Sequence, residues 1–343
     1  MRPTLIIGLG GTGAHVIAST LTKLLESPSA SKSAGGIFQF LYIDTNTYFA
    51  KEQKLNLPKG GIVRIGGVTI DKVLEHYCQH DDNLKKWFDC EKLAHALSLE
   101  LGYRFPERFS LDVERWQYRQ LGRLYLYHDL DKYSNVKASI HHKLLAIQQQ
   151  TTTSPLVIIC TSLIGGTGGA IALDVAYLVN HVLATINSNA HVLGVFALEN
   201  IFASAFSNAL EERRIKFILN QVAAIKEIQY FARTRYEFGP QNHVVNFDNF
   251  EPFDSYWLFG GDNTEKFKGN RPTDYFSLIA SEISGAILSD DWLMQPKGCE
   301  YVNIQAPLIT NMIGNWSHWE DIYNRHLKDP NRLCPHISRE FCT

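Results

Sequence analysis

The sequence predicts an α/β protein with a doubly wound, mainly parallel sheet and a smaller α+β C-terminal part. Apolar strands alternate with amphipathic helices along the first two thirds of the 343 residues. Two strands end in a glycine-rich turn that leads straight into a helix, at residues 8–13 and 165–169. Because ligands of open parallel sheets bind beyond the carboxyl ends of the strands, both turns are expected at one edge.

The first elements alternate regularly. Residues 4–7 form an apolar strand, and residues 14–25 carry the apolar spacing of an amphipathic helix. A second strand, 38–43, is followed directly by Asp44. The more polar segment 51–143 is predicted to be mostly helical.

The later elements continue the pattern. A strand at 155–160 leads through the second glycine turn into a helix at 170–186. A long helix at 210–231 repeats apolar residues at intervals of three and four, as a helix packed on a core requires. The remaining predicted elements are strands 191–198, 244–247 and 255–259, a helix at 275–288 and a poorly specified tail at 315–343.

Composition excludes several classes of protein. An apolar content of 45% and a net charge of −2 are those of a globular protein with no bulk attraction to nucleic acid or anionic membranes. No apolar run reaches the length of a bilayer-spanning helix, and no secretory leader is evident. Six scattered cysteines lack metal-binding spacing and indicate reduced thiols. We expect a cytoplasmic protein.

The first glycine turn matches a dinucleotide-binding pattern. Gly8, Gly10 and Gly13 have the Gly-x-Gly-x-x-Gly spacing, and Asp44 at the end of the second strand could accept a ribose hydroxyl. This leaves an NAD-dependent oxidoreductase open. A turn that uses glycine only for steric reasons is the simpler alternative.

The second glycine turn favours a nucleoside triphosphate. Neither turn is followed by the Gly-Lys-Ser/Thr of a P-loop, because Ala14 and Ala170 stand there. A phosphate chain held without that lysine needs backbone N–H groups and helix dipoles, and two glycine turns supply them. Thr167 could add a hydroxyl hydrogen bond.

Residues 162–170, Ser-Leu-Ile-Gly-Gly-Thr-Gly-Gly-Ala, resemble the tubulin/FtsZ signature and depart from its glycines at Ile164 and Ala170. Residues 8–13 resemble the first nucleotide loop of FtsZ-like proteins, and 40–46 their second-strand loop. The chain resembles divergent bacterial tubulin-like proteins from residue 1 to about 259. Segments 119–124, 220–228 and 253–258 carry that closer resemblance.

This resemblance implies GTP or GDP bound with Mg²⁺ in a tubulin-like domain spanning 1–232 and including central helix 210–231, followed by a reduced α+β region at 233–343. It implies that Asp44 or Asn46 positions the metal, directly or through water, and that Glu199 contacts the ribose and Asn220 the guanine. The residues implied for the phosphates are Gly10, Gly11, Thr12, Arg119, Arg123, Gly165, Gly166, Thr167, Gly168 and Gly169.

The resemblance also implies head-to-tail self-assembly into filaments. Hydrolysis in this superfamily uses acidic residues that a neighbouring subunit presents, and no matching motif is present here. Asp274, or the pair Asp262 and Asn263, are the candidates, although an Asp at a helix start is commonly an N-cap. A GTPase completed between subunits is therefore the main prediction; a non-hydrolysing scaffold that recruits a second protein is the alternative.

Overall fold

The computed structural model describes the glycine turns and most of the chain around them. The described residues are 1–27, 36–68, 72–74, 76–77, 82–87, 93, 118–206, 211–240, 244–248, 250–260, 271–289, 299–301 and 316–327.

A single seven-stranded sheet forms the centre of the fold, in the order β3-β2-β1-β4-β5-β8-β9. The first six strands in this order are parallel, and β9 pairs antiparallel with β8. The strands are β1 (Thr4–Leu9), β2 (Phe38–Asp44), β3 (Ile62–Arg64), β4 (Leu156–Ser162), β5 (His191–Ala197), β6 (Tyr236–Phe238), β7 (Val245–Phe247), β8 (Ser255–Phe259) and β9 (Cys299–Tyr301), with β6 and β7 forming a separate antiparallel pair.

Helices cover both faces of the sheet. The described helices are α1 (Gly10–Glu26), α2 (Tyr48–Glu52), α3 (Asp82–Trp87), α4 (Arg119–Lys132), α5 (Asn135–Gln148), α6 (Gly168–Thr185), α7 (Glu211–Phe231), α8 (Pro272–Ser289) and α9 (Trp316–Leu327), with a 3₁₀ helix at Glu199–Phe206. Helices α1 and α8 pack against each other on one face, and α4, α5, α6 and α7 lie on the other.

Burial on both faces explains the apolar strands. In β1, Leu5 and Ile7 point into one core, whereas Ile6 between them points into the other. Strands buried on both sides read as continuous apolar runs, as β1 and β4 do. The predicted doubly wound, mainly parallel sheet is therefore confirmed.

The structure adds elements that the sequence did not predict: β3, β6, β9 and helix α9 in the tail. Strand β8 pairs in parallel with β5, so residues beyond 232 contribute to the same sheet. The division of the chain at residue 232 stays a prediction.

The chain reverses its direction of winding between β1 and β4. From β1 the chain adds β2 and then β3 on one side, and from β4 it adds β5 and then β8 on the other. Such a switch point leaves a crevice at the carboxyl ends of the two central strands. Both glycine turns lie at this crevice.

One described helix, Gly168–Thr185, is long and apolar enough to cross a membrane by length and composition, with mean hydropathy 1.3, contrary to the expectation that no run would qualify. Of this helix, 78% is buried inside the fold. Its apolar residues therefore serve the core against the sheet.

Candidate functional site

A cavity of about 330 Å³ lies at the carboxyl ends of β1, β2 and β4. Its volume is at the lower end of the range of small-molecule sites. The described lining residues are Leu9, Gly10, Gly11, Thr12, His15, Asp44, Asn46, Phe49, Thr161, Ser162, Ile164, Gly165, Gly166, Thr167, Gly168, Phe202 and Phe276.

The two glycine turns touch each other at this cavity. A Cβ atom on Gly10 would lie 3.1 Å from the backbone nitrogen of Gly168, and Gly10 has a φ of +65°. A Cβ atom on Gly168 would lie 2.6 Å from the carbonyl oxygen of Leu9 and 2.0 Å from the Thr161 hydroxyl oxygen. Only glycine at both positions allows this approach, which brings the starts of two helices to one cavity.

Both of these helices begin without a side-chain cap. The residues before α1 and α6, Leu9 and Thr167, make no side-chain cap hydrogen bond, and neither first turn contains an acidic residue. The first N–H groups of a helix have no acceptor within the helix, and the helix dipole makes this end electropositive. Two such ends facing one cavity suit an anion such as a phosphate.

The isoleucine that replaces a signature glycine fits the loop without strain. Ile164 is not among the described non-glycine residues with positive φ, which are Lys54, Ser134 and Asn187. A β-branched residue is therefore accepted at this position, and Ile164 lines the cavity.

Asp44 is the one carboxylate among the described lining residues. The Tyr42 hydroxyl donates to its Oδ2 at 2.6 Å, and the Thr45 backbone N–H donates to its Oδ1 at 2.7 Å. Burial raises the pKa of Asp44, and hydrogen bonds from Tyr42, Thr45 and Thr167 partly oppose that rise. A divalent cation would favour the charged form of this buried carboxylate.

A metal site built from protein alone is not found in the described part of the chain, where no three His, Cys, Asp or Glu side chains cluster. Mg²⁺ commonly takes one or two carboxylates and completes its shell with substrate phosphates and water. A single carboxylate beside two anion-binding helix ends fits this arrangement.

Four aromatic rings also line the cavity, and the sequence did not predict them. The His15 ring lies 5.3 Å from that of Phe276 and 6.3 Å from that of Phe49, and the Phe202 ring lies 5.8 Å from that of Phe276. Burial lowers the pKa of His15. In the sequence, the one indication of this aromatic wall was His15, which lies three residues after Thr12 and therefore on the same helix face.

Most of the predicted phosphate and metal residues come together at the cavity. Asn46 lines it with its side-chain oxygen accepting a hydrogen bond from the Tyr48 N–H. Gly169 is not among the described lining residues; a Cβ atom there would lie 2.6 Å from the Leu163 carbonyl oxygen, so Gly169 packs against the backbone of the turn. The predicted residues that line the cavity are Gly10, Gly11, Thr12, Asp44, Asn46, Gly165, Gly166, Thr167 and Gly168.

Arg119 and Arg123 are not among the described lining residues. The guanidinium of Arg119 pairs with Glu227 at 2.6 Å, and that of Arg123 pairs with Asp174 at 2.5 Å. All four side chains are buried. Each arginine is paired with a carboxylate inside the core, so these contacts give no support to direct phosphate binding by Arg119 or Arg123.

Asn220 and Glu199 are not among the described lining residues of the cavity. The Asn220 amide donates to the Ile164 carbonyl oxygen at 2.9 Å. Glu199 is buried; its backbone N–H donates to the Gln221 side chain, and its carboxylate accepts from Arg214 at 2.9 Å. Neither residue lines the cavity, so their predicted contacts with guanine and ribose gain no support.

Asp274 is engaged at the start of α8. Its Oδ2 accepts a hydrogen bond from the Arg271 backbone N–H at 3.1 Å, and its Oδ1 pairs with the Arg271 guanidinium at 3.3 Å. A carboxylate at the third helical position that accepts from the N-cap N–H is one half of a capping box. The catalytic role predicted for Asp274 has no counterpart in these contacts, and Asp262 and Asn263 lie outside the described residues.

Comparison with protein families decides the class. Residues 5–327 match the family described as tubulin like. The chain belongs to the tubulin-like family. The resemblance noted on residues 8–13, 40–46 and 162–170 is thereby confirmed. The family match extends over nearly the whole tubulin-like chain.

Two solved structures similar to this tubulin-like chain are CetZ from Methanosaeta thermophila strain DSM 6194 and TubZ of Clostridium botulinum phage c-st. CetZ is 13% identical with a TM-score of 0.44, over 91% of this chain and 59% of CetZ. TubZ is 13% identical with a TM-score of 0.44, over 87% of this chain and 61% of TubZ. The chain thus spans about three fifths of the length of these structures. No curated protein sequence matches it.

Proposed function

We propose that this tubulin-like chain binds a guanine nucleotide together with Mg²⁺ in the cytoplasm. The observation that carries the proposal is the contact between Gly10 and Gly168, which joins two uncapped helix starts at one cavity. A phosphate chain bridging these starts would satisfy backbone N–H groups from both turns.

The cavity offers a place for each part of the nucleotide. The turn residues Gly11 and Gly166 would hold phosphates, and Asp44 would hold Mg²⁺ directly or through water. The rings of Phe49 and Phe276 offer apolar surface on which a base can stack. Preference for guanine over adenine rests on membership in the tubulin-like family.

We further infer that nucleotide state controls head-to-tail assembly into filaments. Asp44 is the carboxylate proposed to hold Mg²⁺, so it does not serve as the general base. Among the described residues the cavity has no other carboxylate, which favours hydrolysis completed by an acidic residue of a neighbouring subunit. Repeated contacts of that heterologous kind build open filaments.

Nucleotide binding is tested by isothermal titration with GTP, GDP, ATP and NADH, each with and without Mg²⁺. GTP and GDP should bind at one site per chain, and Mg²⁺ should strengthen GTP binding. Tight binding of NADH with none of GTP would overturn the proposal in favour of a dinucleotide oxidoreductase.

Assembly is tested by pelleting and phosphate release over a range of protein concentrations. GTP should increase the pelleted fraction, and phosphate release per chain should rise with concentration because the active site needs two subunits. Binding of GTP without phosphate release at any concentration would instead identify a scaffold that recruits a partner.

A further inference from the structure

The second glycine turn is supported from behind by helix α4. A Cβ atom on Gly122 would lie 2.6 Å from the Gly166 carbonyl oxygen and 3.0 Å from the Thr167 Cα atom. The backbone of α4 therefore touches the turn on the side away from the cavity. A side chain larger than that of glycine at position 122 would displace either the turn or helix α4.

Helix α7 holds the same turn by a hydrogen bond. The Asn220 side-chain amide is buried and donates to the Ile164 carbonyl oxygen at 2.9 Å. Because Ile164 lines the cavity, this bond fixes the backbone where the turn leaves β4. An ionised carboxylate could not replace this amide, since it can only accept a hydrogen bond.

Two buried ion pairs hold α4 and α7 in place behind the turn. Arg119 of α4 pairs with Glu227 of α7 and also donates to the Asn220 carbonyl oxygen at 3.3 Å. Arg123, one residue after Gly122, pairs with Asp174 of α6, the helix that follows the turn. The helices behind the turn are thus joined to one another.

We propose that Asn220 and Gly122, held in place by the Arg119–Glu227 and Arg123–Asp174 pairs, are positioning residues that set the backbone of residues 164–167 for phosphate binding. The two arginines act from outside the cavity rather than on the phosphates. The inference deepens the proposed nucleotide function and rests on it for the ligand.

The test compares two matched substitutions. Asn220→Asp replaces the donor to the Ile164 carbonyl by an acceptor of the same size. Asn180→Asp makes the same change at an amide of α6 that donates to the Ala176 and Pro252 carbonyl oxygens, each at 3.0 Å, and that does not line the cavity.

Hydrogen exchange of the nucleotide-free protein and titration with GTP·Mg²⁺ give separate readouts. Asn220→Asp should speed exchange in residues 164–167 and weaken GTP·Mg²⁺ about tenfold, because it leaves a buried carbonyl without its donor. Asn180→Asp should change neither, although both lower the melting temperature. Equal effects of the two substitutions on exchange and on affinity would overturn the inference.

Gly122→Ala serves if Asn220→Asp fails to fold. The added methyl group should move the turn and weaken GTP·Mg²⁺ about tenfold, because overpacking shifts the neighbouring backbone. Gly285→Ala, in open space on α8, is its control. Unchanged exchange at 164–167 and unchanged affinity in Gly122→Ala would overturn the inference.

Absence of GTP binding in the unmodified protein would instead remove the proposed function, while hydrogen exchange would still decide whether the turn is held from behind.

Discussion

The hydroxyl oxygens of Thr45 and Thr167 lie 3.2 Å apart, although 122 positions separate them in the sequence. Thr45 follows the end of β2 beside Asp44, and Thr167 lies in the second glycine turn. The contact joins the proposed metal-binding carboxylate to the proposed phosphate turn through two buried hydroxyl groups. One hydrogen bond thus links the two parts of the proposed site.

Thr167→Val should weaken GTP·Mg²⁺ about tenfold, because it keeps the shape of the side chain and removes its hydroxyl hydrogen bond. Isothermal titration measures the change. Thr185→Val, at the exposed end of the same helix, should leave affinity unaltered. If both variants bind GTP·Mg²⁺ as the unmodified protein does, the Thr167 hydroxyl has no part in binding.

Gly168→Ala should lower the free energy of unfolding by about 1–3 kcal/mol, since its Cβ atom overlaps the Leu9 carbonyl and the Thr161 hydroxyl. GTP binding should be lost with it. Gly285→Ala should stabilise the protein by about 0.5–1 kcal/mol, because Gly285 lies in the interior of α8 with open space around it. Urea denaturation measures both, and equal signs would contradict the packing described for the two turns.

The buried pair Arg119 and Glu227 should behave as a coupled unit. Arg119→Leu or Glu227→Leu alone should cost about 3–5 kcal/mol, because each removes the opposite charge from a buried ion pair. The double substitution should cost clearly less than the two added together. A double-mutant cycle by chemical denaturation tests this, and additive losses would mean that the two charges are not coupled.

Asp174 should make stability depend on pH. Burial raises its pKa to about 6 from 3.8, and the neighbouring Arg123 opposes that rise. Between about pH 4 and 6 the folded state holds a proton that the unfolded chain has released, so the free energy of unfolding should fall with rising pH, by about 3 kcal/mol in total.

Urea denaturation between pH 4 and 7 measures this effect. Asp174→Asn should remove the fall, whereas Asp248→Asn at an exposed position should keep it. A fall of the same size in the Asp174→Asn variant would assign the pH dependence to other groups.

The central sheet and the glycine turns were predictable because their signals are local. A strand, a glycine turn and a helix follow one another directly at 4–25 and at 155–186, and Gly10 takes a positive φ that favours glycine. The pairing of β8 with β5 was harder to predict, because the five residues of β8 resemble any short buried strand.

The partners of the charged side chains could not be predicted in the same way. Arg119 lies 108 positions from Glu227, and Arg123 lies 51 from Asp174. An arginine near a glycine motif reads equally well as a phosphate ligand or as a core ion pair until the fold brings its partner to it. The aromatic wall has the same origin, because Phe49 and Phe276 both come next to the His15 ring only when α2 and α8 pack on α1.

The Thr161 hydroxyl donates to the Leu9 carbonyl oxygen across 152 positions, and β1 lies in the middle of the sheet. The amino-terminal turn must therefore wait, on the order of ten seconds of ribosomal synthesis, for the segment that completes its pocket. The proposed nucleotide could bind a nascent chain only once the central strands have joined, which would make its capture a checkpoint for a correctly assembled sheet.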